Sequence, residues 1–273
     1  LLHFGNRALL GIVIGAAAVV GTQLPSSFTV STVSGLVLQI TAGPLQGLMA
    51  VYFLKRFTGT VKLLLSFKSL FVFVLCCSLI SSILSAALGT SSIILQGIVP
   101  SSIALPVWFN WWIADALGVM VAAPLLLMLG SRWRRLISSP KLAAELIIIC
   151  IAGTVLAALL FSDAVNIPPT LASAFTYFTF PVLIVASIRG GHLFAAIVTA
   201  LVTLVTVLGT ANGLGPFAIQ GEHANAHLNI FLIVFAITGL SISTAIAERN
   251  ANEVDLQRKQ TELNRLYRTS VMG

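Results

Sequence analysis

Residues 108–124 read Trp108-Phe109-Asn110-Trp111-Trp112-Ile113-Ala114-Asp115-Ala116-Leu117-Gly118-Val119-Met120-Val121-Ala122-Ala123-Pro124. Apart from one amide and one carboxyl the run is apolar, and Asp115 is the only acidic residue in the first 144 positions. A carboxyl at the centre of a membrane helix costs roughly 2.5 to 3.5 kcal/mol on insertion scales, so it persists where a cavity, a partner or a function compensates for it. The rest of the chain repeats this pattern without the acid. Of 273 residues, 58% are hydrophobic and 8% charged, against roughly 25% charged in a soluble domain. Apolar runs of about 20 residues point to membrane helices, which satisfy their own backbone groups in lipid. The short alternating segments of a β-barrel are absent. The expected fold is therefore an all-α polytopic bundle.

Apolar runs and turn residues divide the chain into about eight spans, at 8–26, 32–54, 67–89, 106–130, 142–162, 172–188, 191–211 and 228–247. The basic residues fall at alternate ends of these spans. Arg7 precedes the first; Lys55, Arg56, Lys62 and Lys68 follow the second; Arg132, Arg134, Arg135 and Lys141 follow the fourth; Arg189 follows the sixth and Arg249 the eighth. By the positive-inside rule those ends are cytoplasmic. The intervening loops carry no Lys or Arg and hold Asp163, Glu222, His223 and His227. The net charge of +7 thus reads as topology and not as a nucleic-acid surface. Cys76, Cys77 and Cys150 lie within apolar segments and read as packing residues. The chain starts at Leu1 and reads as an excerpt of a longer protein.

Two domains follow: a transmembrane domain over 1–248 and a polar linker helix over 249–273. The linker is rich in charge and free of Pro and Gly until the last residue. Leu256, Leu263 and Leu266 form a thin apolar seam suited to pairing with a second copy. Such a helix can pass a rotation or shift to whatever lies beyond it.

On a helix, Trp108, Trp111, Trp112 and Asp115 are spaced by three and four, so rings and carboxyl share a face. That face can bind a cation, an amine or a hydrogen-bonding ligand, or serve as a structural contact with interfacial tryptophans. Gln39 and Gln46 of the second span, seven apart, are candidate partners. Tyr177, among alternating Phe and Thr residues of the sixth span, is a further cavity-lining candidate. Gly118, Pro124 and Pro181 are candidate hinges, because a proline within a span kinks its helix and frees a carbonyl. His223 and His227 have the spacing of metal ligands on a helix but lack a third partner beyond Glu222, so no metal is expected. No cofactor is indicated. The nucleophile elbow, the zinc-protease motif and the phosphate-binding loop are missing, so the chain carries no recognisable catalytic site.

The block from Trp111 to Pro124 resembles the first type of bacterial membrane-associated sensor domain, the MASE family. Gly5-Asn6-Arg7, Phe180-Pro181 ahead of the Arg189-Gly190-Gly191 turn, Gly215-Pro216-Phe217 and Ala247-Glu248-Arg249 are similar in order and spacing. The resemblance extends to about residue 249. It implies a sensory input at the N-terminal side of a histidine kinase or a cyclic-di-GMP enzyme, in the bacterial inner membrane with a cytoplasmic C-terminus. It also implies two further spans ahead of the first one here. The expected function is then a membrane-embedded input domain that responds to an unknown small molecule and self-associates through its last helix. A small-solute or proton-coupled transporter or channel is one alternative, and a passive dimeric anchor is the other.

Overall fold

A computed structural model describes residues 6–22, 29–59, 64, 66–162, 174–218 and 224–272. Among them there is no strand. The helices are α1 (Asn6–Gly21), α2 (Val30–Thr58), α3 (Phe67–Leu95), α4 (Ala104–Ile137), α5 (Pro140–Leu160), α6 (Thr179–Ala211) and α7 (Ala224–Met272).

Local chemistry fixes their ends. At the start of α2 the Thr29 hydroxyl accepts from the Thr32 backbone N–H, and the Thr32 hydroxyl accepts from that of Thr29. This reciprocal pair satisfies two donors that a helix start leaves open. At the other end Gly59, at φ 63°, turns the chain and donates to Lys55 O, while Lys55 and Arg56 complement the negative end of the helix dipole. Ser66 and Ser69 cap α3 in the same reciprocal way.

Within α3, residues Phe73–Ile80 wind as a π-helix. The Ser78 hydroxyl donates five residues back, to Phe73 O at 3.1 Å. A π segment widens the helix and shifts the register of every side chain after it, and such segments recur at functional sites.

α6 folds back on itself. Gly191 has φ 58° and ψ −146°, a conformation that only glycine adopts without strain. In a straight helix Val182 and Val202 would lie about 30 Å apart. Both, together with Val198, come within 4 Å of where a Cβ would sit on Gly153 of α5. Phe231 of α7 likewise has its ring 6.0 Å from that of Phe180, ahead of the turn, and 5.4 Å from that of Phe217, beyond the second arm. The arms 179–190 and 192–211 therefore run antiparallel, joined by a turn with almost no loop.

Six helices among the described residues are long and apolar enough to cross a membrane, and Gly11–Gly21 is a shorter apolar helix. The sequence suggested about eight spans. Its sixth and seventh segments correspond to the two arms of α6 that meet at Gly191, and its first is a helix of 16 residues, about 24 Å long against a hydrocarbon core of about 30 Å.

The two arms of α6 pack with α5 and α7 around Leu183, Ala186, Phe194, Val198, Val202 and Phe235. Small residues permit the approach. A Cβ on Gly209 would meet Phe161 O at 2.6 Å, and one on Gly239 would meet Leu183 at 2.8 Å. The α7 helix then continues as one piece of 49 residues, about 73 Å long. Beyond the bundle it is exposed, with Leu256, Leu263 and Leu266 open to solvent, and the i,i+4 pairs Arg249–Glu253 and Lys259–Asp255 brace it.

Candidate functional site

α4 carries Asp115 between two faces of opposite character. On one face the tryptophans clamp α3: the Trp112 indole N–H donates to Leu79 O at 2.8 Å, Trp108 stacks on Trp112 with centroids 5.7 Å apart, and the Trp111 ring fills the space left by the missing side chain of Gly89. Leu79 lies in the π segment of α3, so the clamp seizes that helix where its register shifts. None of the three tryptophans lines the cavity described next.

The other face opens. A cavity of about 1080 Å³ lies among α2, α3 and α4, closed on one side by Ile12 of α1. Its walls are largely small or apolar: Gly43, Gly47 and Ala50 from α2, Phe73 and Cys77 from α3, and Ala114, Gly118 and Ala122 from α4. Two polar side chains enter it from different helices, Asp115 and Gln46. Both were singled out from the sequence, and the fold brings them to one space.

A run of serines supports these two groups. The Gln46 amide nitrogen donates to Ser82 Oγ at 2.7 Å, and Ser82 in turn donates to Ser78 O at 2.6 Å. The buried Ser85 hydroxyl lies near the Asp115 carboxyl. Cys77 Sγ donates to Ala50 O at 3.2 Å, tying α3 to α2. Ser78, Ser81, Ser82 and Ser85 are all buried. They recur at spacings of three and four, the signal of a single helix face, and they are the residues that the sequence reading passed over.

The remaining candidates lie elsewhere. Gln39 is half-buried on α2 and does not reach the cavity. Tyr177 sits exposed in a 3-10 turn, Thr176–Phe178, with its ring 6.4 Å from that of Phe231. Gly118 lines the cavity, and a Cβ there would meet nothing within 4 Å. Pro124 is buried in α4, whose helix runs on through it. Pro181 falls in the first turn of α6, where a proline removes no intrahelical hydrogen bond. Glu222 and His223 lie outside the described residues. Among the described residues no three His, Cys, Asp or Glu side chains cluster as metal ligands.

The cavity wall is fastened to α7. Leu240 packs in one cluster with Leu54, Phe73 and Cys77, all three of which also line the cavity. Where α7 leaves the bundle, Glu248 accepts from the Phe67 backbone N–H at 3.1 Å. Thr244 donates to Leu64 O at 3.4 Å and pairs with His192 Nε2 at 3.1 Å. Thus both α3 and the turn of α6 hold the helix that becomes the stalk.

No curated protein and no solved structure matches the chain. The MASE1 family matches residues 1–250, a range that takes in the whole bundle, the cavity and the first residues of the stalk. The chain belongs to the MASE1 family of membrane sensory domains.

Proposed function

We propose that this domain is the input of a bacterial inner-membrane signalling protein, and that it senses a small molecule in the cavity holding Asp115 and Gln46. The reading is carried by one observation. Two polar side chains from separate helices meet in an intramembrane cavity whose wall residues Leu54, Phe73 and Cys77 belong to the same packed cluster as Leu240 of the stalk helix. Occupancy of the cavity moves α2 and α3 against α4, and α7 reports the change to a cytoplasmic histidine kinase or cyclic-di-GMP enzyme. Leu256, Leu263 and Leu266 supply the seam through which two copies pair. A ligand drives such a switch only by binding the two packings unequally; a shift from 1:99 to 99:1 takes about 5.5 kcal/mol of difference.

The test is Asp115→Asn in the full-length protein, read as output activity across the stimulus range. Loss of the response with intact basal output is the expected result. An unchanged response makes Asp115 structural and sinks the reading. A generic dimeric membrane anchor in place of residues 1–248 should abolish regulation; if regulation survives the exchange, the domain is a passive anchor.

A further inference from the structure

We infer that the cavity takes a lipophilic amine: a molecule with a protonated, hydrogen-bond-donating head and an apolar body, entering sideways from the bilayer. The inference rests on the sensing role proposed above only for its consequence; the binding chemistry stands on the cavity alone.

Charge comes first. Asp115 is the one charged side chain lining the cavity among the described residues; no Lys, Arg or His lines it, and Asp115 enters none of the described ion pairs. A carboxyl taken out of water calls for a compensating cation. The described residues supply none here, and a cationic ligand would complete the site.

Hydrogen bonding points the same way. The Gln46 amide nitrogen is engaged with Ser82 and the Cys77 thiol with Ala50 O. The groups these bonds leave over at the cavity are acceptors, the carboxyl oxygens of Asp115 and the amide oxygen of Gln46. A head that donates in several directions, as a primary ammonium does, matches them. A carboxylate or phosphate head meets only repulsion.

Shape supplies the apolar body and the route. A volume of about 1080 Å³ is at the upper end of ligand pockets, which run to about 1,000 Å³, and far exceeds what an ammonium alone fills. Away from Asp115 and Gln46 the walls are apolar. On the rim, Gly43, Ala114, Gly118, Ala122 and Leu126 are exposed on the lateral faces of α2 and α4, in the part of the bundle that apolar spans place within the bilayer.

The test uses the full chain in lipid nanodiscs and a dodecylamine carrying a photoreactive diazirine at its far end. Irradiation followed by peptide mapping should place the label on α2 and α4 around Gly43–Gly47 and Ala122–Leu126. Unlabelled dodecylamine should compete, and dodecanoic acid should not. Asp115→Asn should lower labelling at these positions at least about tenfold, the effect of 1.4 kcal/mol, while Asp115→Glu retains most of it. Gly118→Leu, at a position where added atoms meet nothing within 4 Å, keeps the fold and should block the label by filling the space.

Equal labelling by a diazirine-bearing fatty acid would overturn the inference, because the head would not be recognised. Labelling that survives both Asp115→Asn and Gly118→Leu would overturn it as well. So would disulfide formation between two copies bearing Gly118→Cys that excludes the amine, since the cavity would then be an interface. If the amine fails to bind while Asp115→Asn still abolishes signalling, the ligand class falls and the sensing role stands. If the amine binds as described and signalling ignores Asp115, the ligand class stands and the sensing role falls.

Discussion

The two sides of the bundle solve the problem of packing in lipid in opposite ways. Around α5, α6 and α7, glycines are filled by their neighbours: Gly209 against the backbone of Phe161, Gly239 against the Leu183 side chain, Gly153 against three valine side chains. Around α2, α3 and α4, Gly35 and Gly89 are also filled, but a Cβ added on Gly43 or Gly118 would meet nothing within 4 Å, and a cavity of about 1080 Å³ remains. Lipid tails are as apolar as leucine, so helices in a membrane associate by close packing and hydrogen bonds. The first side uses close packing. The second uses hydrogen bonds, through the serines of α3, the Gln46 amide and the Trp112 indole. One side is filled and the other keeps an open space.

Substitutions of equal size test that contrast most sharply. Gly209→Leu should destabilise the bundle by about 3 kcal/mol, at the upper end of overpacking costs, because its Cβ would meet a backbone oxygen at 2.6 Å. Gly118→Leu should leave thermal unfolding in detergent unchanged. Equal melting shifts in the two variants would erase the distinction.

On the hydrogen-bonded side, Ser82→Ala strips the Gln46 amide nitrogen of its acceptor. A buried polar group left unpaired costs about 1 to 3 kcal/mol. The double variant Ser82→Ala with Gln46→Leu should recover most of the loss, as a double-mutant cycle would reveal. Trp112→Phe keeps the ring against α3 and removes only the N–H bond to Leu79 O; about 1 kcal/mol is expected, with a red-shifted emission from the remaining tryptophans as α4 loosens.

The smallest effect belongs to the surface. Arg189 and Glu145 pair at 2.8 Å, but their side chains are 58% and 38% exposed. Arg189→Gln should cost about 0.5 kcal/mol or less, and the difference should vanish in high salt.

Helicity and membrane character were legible in the sequence because they depend on composition and run length. The alternation of Lys and Arg needed no tertiary information either. The convergence of Gln46 on Asp115 was a guess that geometry alone could decide: Gln39, seven residues earlier on the same helix, falls short of the cavity. The tryptophans mislead for a related reason. Spacings of three and four place Trp108, Trp111 and Trp112 near Asp115 on the helix surface, yet the stripe is wide enough for the rings to face α3 while the carboxyl faces the cavity. The serines of α3 had a readable period but low contrast, since a hydroxyl that bonds back to its own helix looks like any other small residue. The turn at Arg189-Gly190-Gly191 was legible as a break between two apolar arms, but not its tightness, which depends on Gly191 adopting a positive φ.

That turn also bears on how the protein is made. The first arm, with its preceding 3-10 turn, covers residues 176–190, about 22 Å of helix, less than a hydrocarbon core of about 30 Å. With almost no loop to hold at the membrane surface, the two arms are expected to enter the bilayer together as a hairpin.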